Sequence, residues 1–122
     1  MTSRGVFVDT GMWQIDIDTE SRPGQFVVSF NCDVLHVVFI TASLGFLRMA
    51  ESFLRQDEAN GAVVLGRFQD GSVVELTTFG EAGAFYLAVG DGRGCVLSQR
   101  LDLLQAAALA DGLHWMQHKL RT

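Results

Sequence analysis

The chain is 122 residues long, 48% hydrophobic and 19% charged, and its 14 acidic and 9 basic side chains give a net charge of −5. That length holds one compact domain over residues 1–122, able to bury a core without disulfide or metal staples, and leaves no room for a second. A single lysine, Lys119, and the acidic balance exclude a long-range field that would gather polyanions, and the shortage of charge relative to apolar surface points to a face that meets another chain.

In chain order, the opening Met1-Thr2-Ser3-Arg4-Gly5-Val6-Phe7-Val8 reaches Asp9 after three apolar residues, too few for a secretory signal. Val6 to Val8 reads as a short strand. Trp13, Ile15 and Ile17 alternate with Gln14, Asp16 and Asp18, the period of a strand with one wet face. Beyond Ser21-Arg22-Pro23-Gly24, Phe26, Val28 and Phe30 alternate with Val27, Ser29 and Asn31. The run Val34 to Ile40 is apolar at nearly every position and suggests a strand covered on both faces. The longest uncharged stretch, Val34 to Leu47, is too short and too interrupted to span a membrane.

The period then lengthens. From Ser43 as N-cap, Leu47, Ala50 and Leu54 form a stripe opposite Arg48, Glu51, Arg55 and Glu58, which predicts an amphipathic helix stopped by Asn60-Gly61. Ala62 to Phe68 and Val73 to Phe79 flank Asp70-Gly71, a hairpin signal that sets Leu65 opposite Leu76 and Val63 opposite Thr78. Ala84 to Val89 and Cys95 to Ser98 supply two more strands. A last helix starts at Asp102, with Gln105 completing a capping box, and carries the stripe Ala106, Leu109, Leu113, Met116 and Leu120. Gly112 weakens it, since an interior glycine costs about 1 kcal/mol against alanine.

Residues 1–60 and 61–122 therefore read as four strands and a helix, twice over, with Phe26 and Phe85, Ser43 and Asp102, Leu44 and Leu103, and Leu54 and Leu113 all 59 apart. The expected class is α+β: two β-β-β-β-α units, antiparallel curved sheets with two helices around one pseudo-two-fold core. This order resembles the β4α-repeat proteins, namely PC4-type coactivators, Whirly regulators and PUR repeats. The resemblance is one of topology over nearly the whole chain. It implies a Whirly-like fold and a regulator that binds single-stranded DNA or RNA. The lysine-containing K-G-K-A-A-L signature of Whirly proteins has no counterpart here, so no residue role is carried over.

For such a ligand, bases stack on aromatic platforms beside cationic side chains. Trp13, Phe26, Phe30, Phe68, Phe79, Phe85 and Tyr86 are available, with Arg22, Arg67 and Arg93 in or near turns. Most of the aromatics alternate as core residues do, which leaves Phe68, Phe79 and Tyr86, with Arg67 and Arg93, as the candidate ligand-binding set. The alternative is an acidic protein-binding adaptor of the secretion-chaperone kind, homodimeric and using apolar sheet or helix surfaces. A third reading rests on Val6-Phe7-Val8-Asp9-Thr10-Gly11, which resembles the hydrophobic Asp-Thr-Gly signature of retroviral-type aspartic proteases and would need a dimer to bring a second aspartate. Against it stand Met12 where a small residue is expected and only eight residues before Asp9. His114 and His118, at i and i+4, with Asp111 one turn earlier, are the metal-ligand candidates, although no glutamate adjoins His114. The loop Gly90-Asp91-Gly92-Arg93-Gly94 joins two strands and reads as a turn rather than a phosphate cradle. Isolated Cys32 and Cys95 suggest a reduced, cytoplasmic protein. The sequence thus predicts a non-catalytic binding or regulatory module, self-associating as a homodimer, with no cofactor and no membrane partner.

Overall fold

The computed structural model describes residues 5–121 apart from Asp57, without the side chains of Glu20, Ser21 and Arg22, so the side chain of candidate Arg22 and the whole of residues 1–4 lie outside the described residues. Strands β1 (Gly5–Asp9), β2 (Gln14–Arg22), β3 (Gln25–Cys32) and β4 (Leu35–Thr41) precede helix α1 (Phe46–Leu54). Strands β5 (Ala62–Arg67), β6 (Val73–Thr77), β7 (Phe85–Gly90) and β8 (Cys95–Leu101) precede helix α2 (Leu103–Leu120). The α+β class and the element order agree with the sequence reading. The strands, however, form one antiparallel sheet in chain order rather than two sheets.

The alternating residues decide which face is buried. Ile15 and Ile17 of β2, Val28 and Phe30 of β3, Val37 and Phe39 of β4, and Val74 and Leu76 of β6 all lie in the core. Trp13, Phe30, Phe39 and Phe46 make edge-to-face contacts in series, with centroids 5.3 to 6.4 Å apart, and so link β2 through β4 to α1. The fully buried Trp13 donates its indole N–H to the Gln105 carbonyl of α2 at 2.9 Å. Helix α2 thus starts beside β8 yet packs against β1 and β2, at the opposite end of the strand order. The sheet must curve around the helix pair for one helix to touch both ends.

Four local expectations change. Strand β4 is covered on one face only, since Val37 and Phe39 are buried while His36 and Val38 are exposed. Helix α1 is capped at Gly45, not Ser43, and ends at Leu54, short of Asn60. The Ser43 hydroxyl accepts from the Gly45 amide at 3.1 Å, which closes a turn ahead of the helix instead of capping it. The β5–β6 hairpin has a three-residue loop, because Phe68 N–H donates to Ser72 O and Asp70 Oδ1 accepts from Ser72 N–H. With left-handed Gly71 closing that loop and a bulge between Val64 and Gly66, Val63 faces Leu76 instead of Thr78, and Leu65 is the extra residue. The capping box at Asp102 and Gln105 forms as expected.

Gly112 has a packing reason. A Cβ there would sit 2.7 Å from Ile15 Cδ1 and 3.1 Å from Thr10 Cγ2, so glycine sets how closely α2 approaches β2.

Candidate functional site

The two four-strand halves meet at a seam. β4 and β5 pair at one position, Ile40 with Arg67, because they overlap only at their C-terminal ends. The rest of each strand has no ladder partner across the seam among the described residues. Gly66 makes the bridge possible, since a Cβ there would lie 2.5 Å from the Ile40 carbonyl oxygen and 2.5 Å from Phe39 Cδ2.

A hollow opens on either side of this bridge, and Ile40, Arg67, Phe68 and Gln69 line both. The larger, about 790 Å3, lies between the β4–α1 connection and β5, with Phe46, Met49 and Val64 contributing apolar wall. Met49 and Val64 are 61% and 55% exposed. The smaller, about 340 Å3, adds Val27 and Val38. By register, Val27, Ile40 and Arg67 share the face of the sheet turned away from the helices. Among the described residues Arg67 is the sole charged one lining either hollow, and its guanidinium donates to the Gly71 carbonyl at 3.2 Å.

A second feature occupies the β6–β8 end of that face. Phe79 and Tyr86 lie with ring centroids 5.0 Å apart, and the Arg100 guanidinium stands 6.0 Å from the Tyr86 centroid. Phe79 is 52% exposed and has φ +50°, the one described non-glycine residue in the left-handed region. Its backbone is held there: the Phe79 amide donates to the Thr77 hydroxyl at 3.1 Å, which itself donates to the Gly61 carbonyl. Buried Thr78 accepts from the Gly61 and Gly80 amides. Strain of this kind persists only where the surroundings over-determine it. Phe79 also lines a hollow of about 330 Å3 with Val73, Glu75 and the glycines of the β7–β8 loop.

The candidate residues are therefore divided. Arg67 and Phe68 sit at the seam, Phe79 and Tyr86 at the aromatic corner, and Arg93 in the β7–β8 loop, where its amide donates to Asp91. Phe68 is half-buried against the core rather than on a solvent face. Trp13, Phe30 and Phe85 are core residues, and Phe26 packs against them. Sequence reasoning missed Arg100, Met49, Val64 and Ile40. Arg100 was findable as the β8 position opposite Tyr86, but only once the β7–β8 register is known.

The metal candidates do not converge. Asp111 accepts from Arg55 at 3.1 Å, and His114 Nδ1 lies 3.3 Å from Glu51. The Trp115 ring makes edge contacts with both His114 and His118, and no group of three metal-ligating side chains exists among the described residues. Instead, Glu51 is the hub of a polar network joining the helices, accepting from Arg55 at 2.9 Å and from Gln117 at 2.8 Å. Burial pushes its carboxyl up, but the Arg55 and Gln117 hydrogen bonds and the Arg55 and His114 charges outweigh burial and hold it below the ordinary glutamate value. Asp9 accepts from the Gly11 amide at 2.8 Å, and the Thr10 hydroxyl accepts from the Trp13 amide at 2.9 Å, so the Asp-Thr-Gly segment forms a self-capped turn. It adjoins a hollow of about 420 Å3 shared with Asp111, Trp115 and Lys119.

No helix among the described residues is long and apolar enough to cross a membrane. Compared with known proteins, the chain matches no family model, no curated protein and no solved structure.

Proposed function

We propose that this chain is a non-catalytic binding module whose ligand is an extended apolar segment of a partner protein, received at the seam between β4 and β5. The observation that carries this reading is the single Ile40–Arg67 bridge flanked by two apolar hollows. Strand edges without ladder partners invite main-chain pairing by an added strand, and adjoining pockets take its alternate side chains. With Arg67 the one charge in the lining among the described residues, the preferred segment is apolar and carries a single carboxylate in reach of that guanidinium. The two β-β-β-β-α segments are read, on this proposal, as matching units of the Whirly-like kind put to use at their junction.

Single-stranded nucleic acid is the second reading, favoured by exposed Phe79 against half-buried Tyr86, with Arg100 beside them. Its weakness is electrostatic. Glu75 lies in the adjoining hollow and the whole chain carries −5, so phosphates meet a repulsive surface.

Fluorescence anisotropy separates the two, using a library of labelled extended peptides of alternating apolar sequence with and without one aspartate, and labelled oligothymidine at low and moderate salt. The protein reading expects peptide binding that weakens about tenfold on Val64→Glu. No peptide binding, or binding indifferent to Val64→Glu, overturns it. Oligothymidine binding at low salt that is lost in Phe79→Ala establishes the second reading in its place.

A further inference from the structure

The four most exposed large apolar residues described in this chain fall within nine positions: Val96 at 66%, Leu97 at 64%, Leu103 at 79% and Leu104 at 72%. They belong to β8, the last strand of the sheet, and to the first turn of α2. The opposite edge is treated differently. β1 is packed by α2, and the ammonium of the one lysine, Lys119, donates to the Phe7 carbonyl. An edge strand is ordinarily blunted by lysine, proline or an inward charge, and the β8 sequence Cys-Val-Leu-Ser-Gln-Arg-Leu has neither lysine nor proline and carries one charge.

We propose that β8 is a self-association edge, occupied by β8 of a second copy of this chain in antiparallel register about a two-fold axis at Ser98. The strand is complementary to itself. In that register Ser98 meets Ser98, Leu97 meets Gln99, Val96 meets Arg100 and Cys95 meets Leu101, so no like charges face each other. Leu97 lies on the helix-side face, since it pairs with Val89, and α2 leaves it uncovered as it turns toward β1 and β2. Across the axis the two Leu97 side chains become diagonal neighbours at about 7–8 Å between backbones, close enough for leucines to cover one another. At the ends, Asp102 of one protomer falls opposite Gly94 of its partner and beside Arg93, so that opposite charges flank the apolar centre. Leu103 and Leu104 extend the covered patch from both sides. The isologous contact closes, as two-fold interfaces do, and removes the exposed edge from both copies.

This edge is distinct from the β4–β5 seam, so dimerisation and peptide binding can fail independently. Sedimentation equilibrium from low to high micromolar concentration tests it, on the wild type and on Leu97→Lys and Leu104→Glu, exposed positions whose substitution leaves the core intact. The expected result is a wild-type dimer whose dissociation constant rises about tenfold or more in each variant. For register, Ser98→Cys in a Cys32→Ser, Cys95→Ser background should oxidise to a covalent dimer, whereas Phe7→Cys on the β1 edge should not. A wild-type monomer at every concentration overturns the proposal. So does a dimer unaffected by both charge variants, or one in which Phe7→Cys cross-links and Ser98→Cys does not.

Discussion

Gly66 concentrates the seam into one atom's worth of space, so Gly66→Ala is the sharpest test of how the halves are joined. The added methyl would sit 2.5 Å from both the Ile40 carbonyl oxygen and Phe39 Cδ2, where comfortable contacts fall near 3.5–4.0 Å. Relief therefore requires β4 and β5 to separate by about 1 Å, and backbone lies on one side and a buried ring on the other. Overpacking of this kind costs about 1–3 kcal/mol. Against it stands a gain of about 0.4–1 kcal/mol from the reduced freedom of the unfolded chain, available because Gly66 is not in the left-handed region. The net expectation is a loss of about 1–2 kcal/mol, or roughly 3–10 °C in Tm for a domain of this size. Urea titration followed by circular dichroism measures it. Gly94→Ala is the matched control, since nothing lies within 4 Å of a Cβ there, and it should be neutral or slightly stabilising. If Gly66→Ala unfolds at or above the wild-type midpoint, the close approach at the seam is not what positions β4 against β5.

Three further outcomes follow from packing and charge elsewhere in the fold. Gly112→Ala should destabilise by about 1 kcal/mol despite its better helix propensity, because contact with Ile15 outweighs the gain; a higher urea midpoint would contradict this. Phe79→Gly should be more stable than Phe79→Ala by about 1 kcal/mol, since glycine relieves the positive φ while both lose the Tyr86 contact, and equal melting temperatures would show that no strain is stored there. The Glu51 carboxyl is more acidic folded than unfolded, so its contribution is complete above the ordinary glutamate pKa and fades as pH falls through the lowered folded value. Glu51→Gln should cost about 0.5–1 kcal/mol near neutrality and nothing once wild-type Glu51 is protonated, so urea midpoints of the two proteins should converge on acidification.

What the sequence made legible was local. The Asp102–Gln105 capping box and the stripe from Ala106 to Met116 depend on residues three or four apart, and they formed where expected. The Asp70-Gly71 turn was in place, but its register was not, because the extra residue Leu65 is fixed by loop closure at Phe68 and Ser72. Phe68 resisted assignment for the same reason: a shifted register changes which side an aromatic takes. The seam was invisible. It arises between two strands separated by a helix, and the apolar run Ala62 to Leu65 does not say which of its residues face solvent. The aromatic corner was legible in two of its members, Phe79 and Tyr86, while Arg100 entered through a strand pairing.

Because α2 is the last element and lies over the first two strands, Trp13 and Ile15 emerge from the ribosome long before the surface that covers them. About 100 residues separate Trp13 from the residues of α2 that shelter it, which at ordinary elongation rates is about 5–20 s of exposure for an aromatic, β-prone segment. The β1–β2 end of the nascent amino-terminal half, which α2 covers, therefore spends that interval open, and it is there, rather than in the finished fold, that a chaperone acting on the emerging chain would matter most to the yield of this protein.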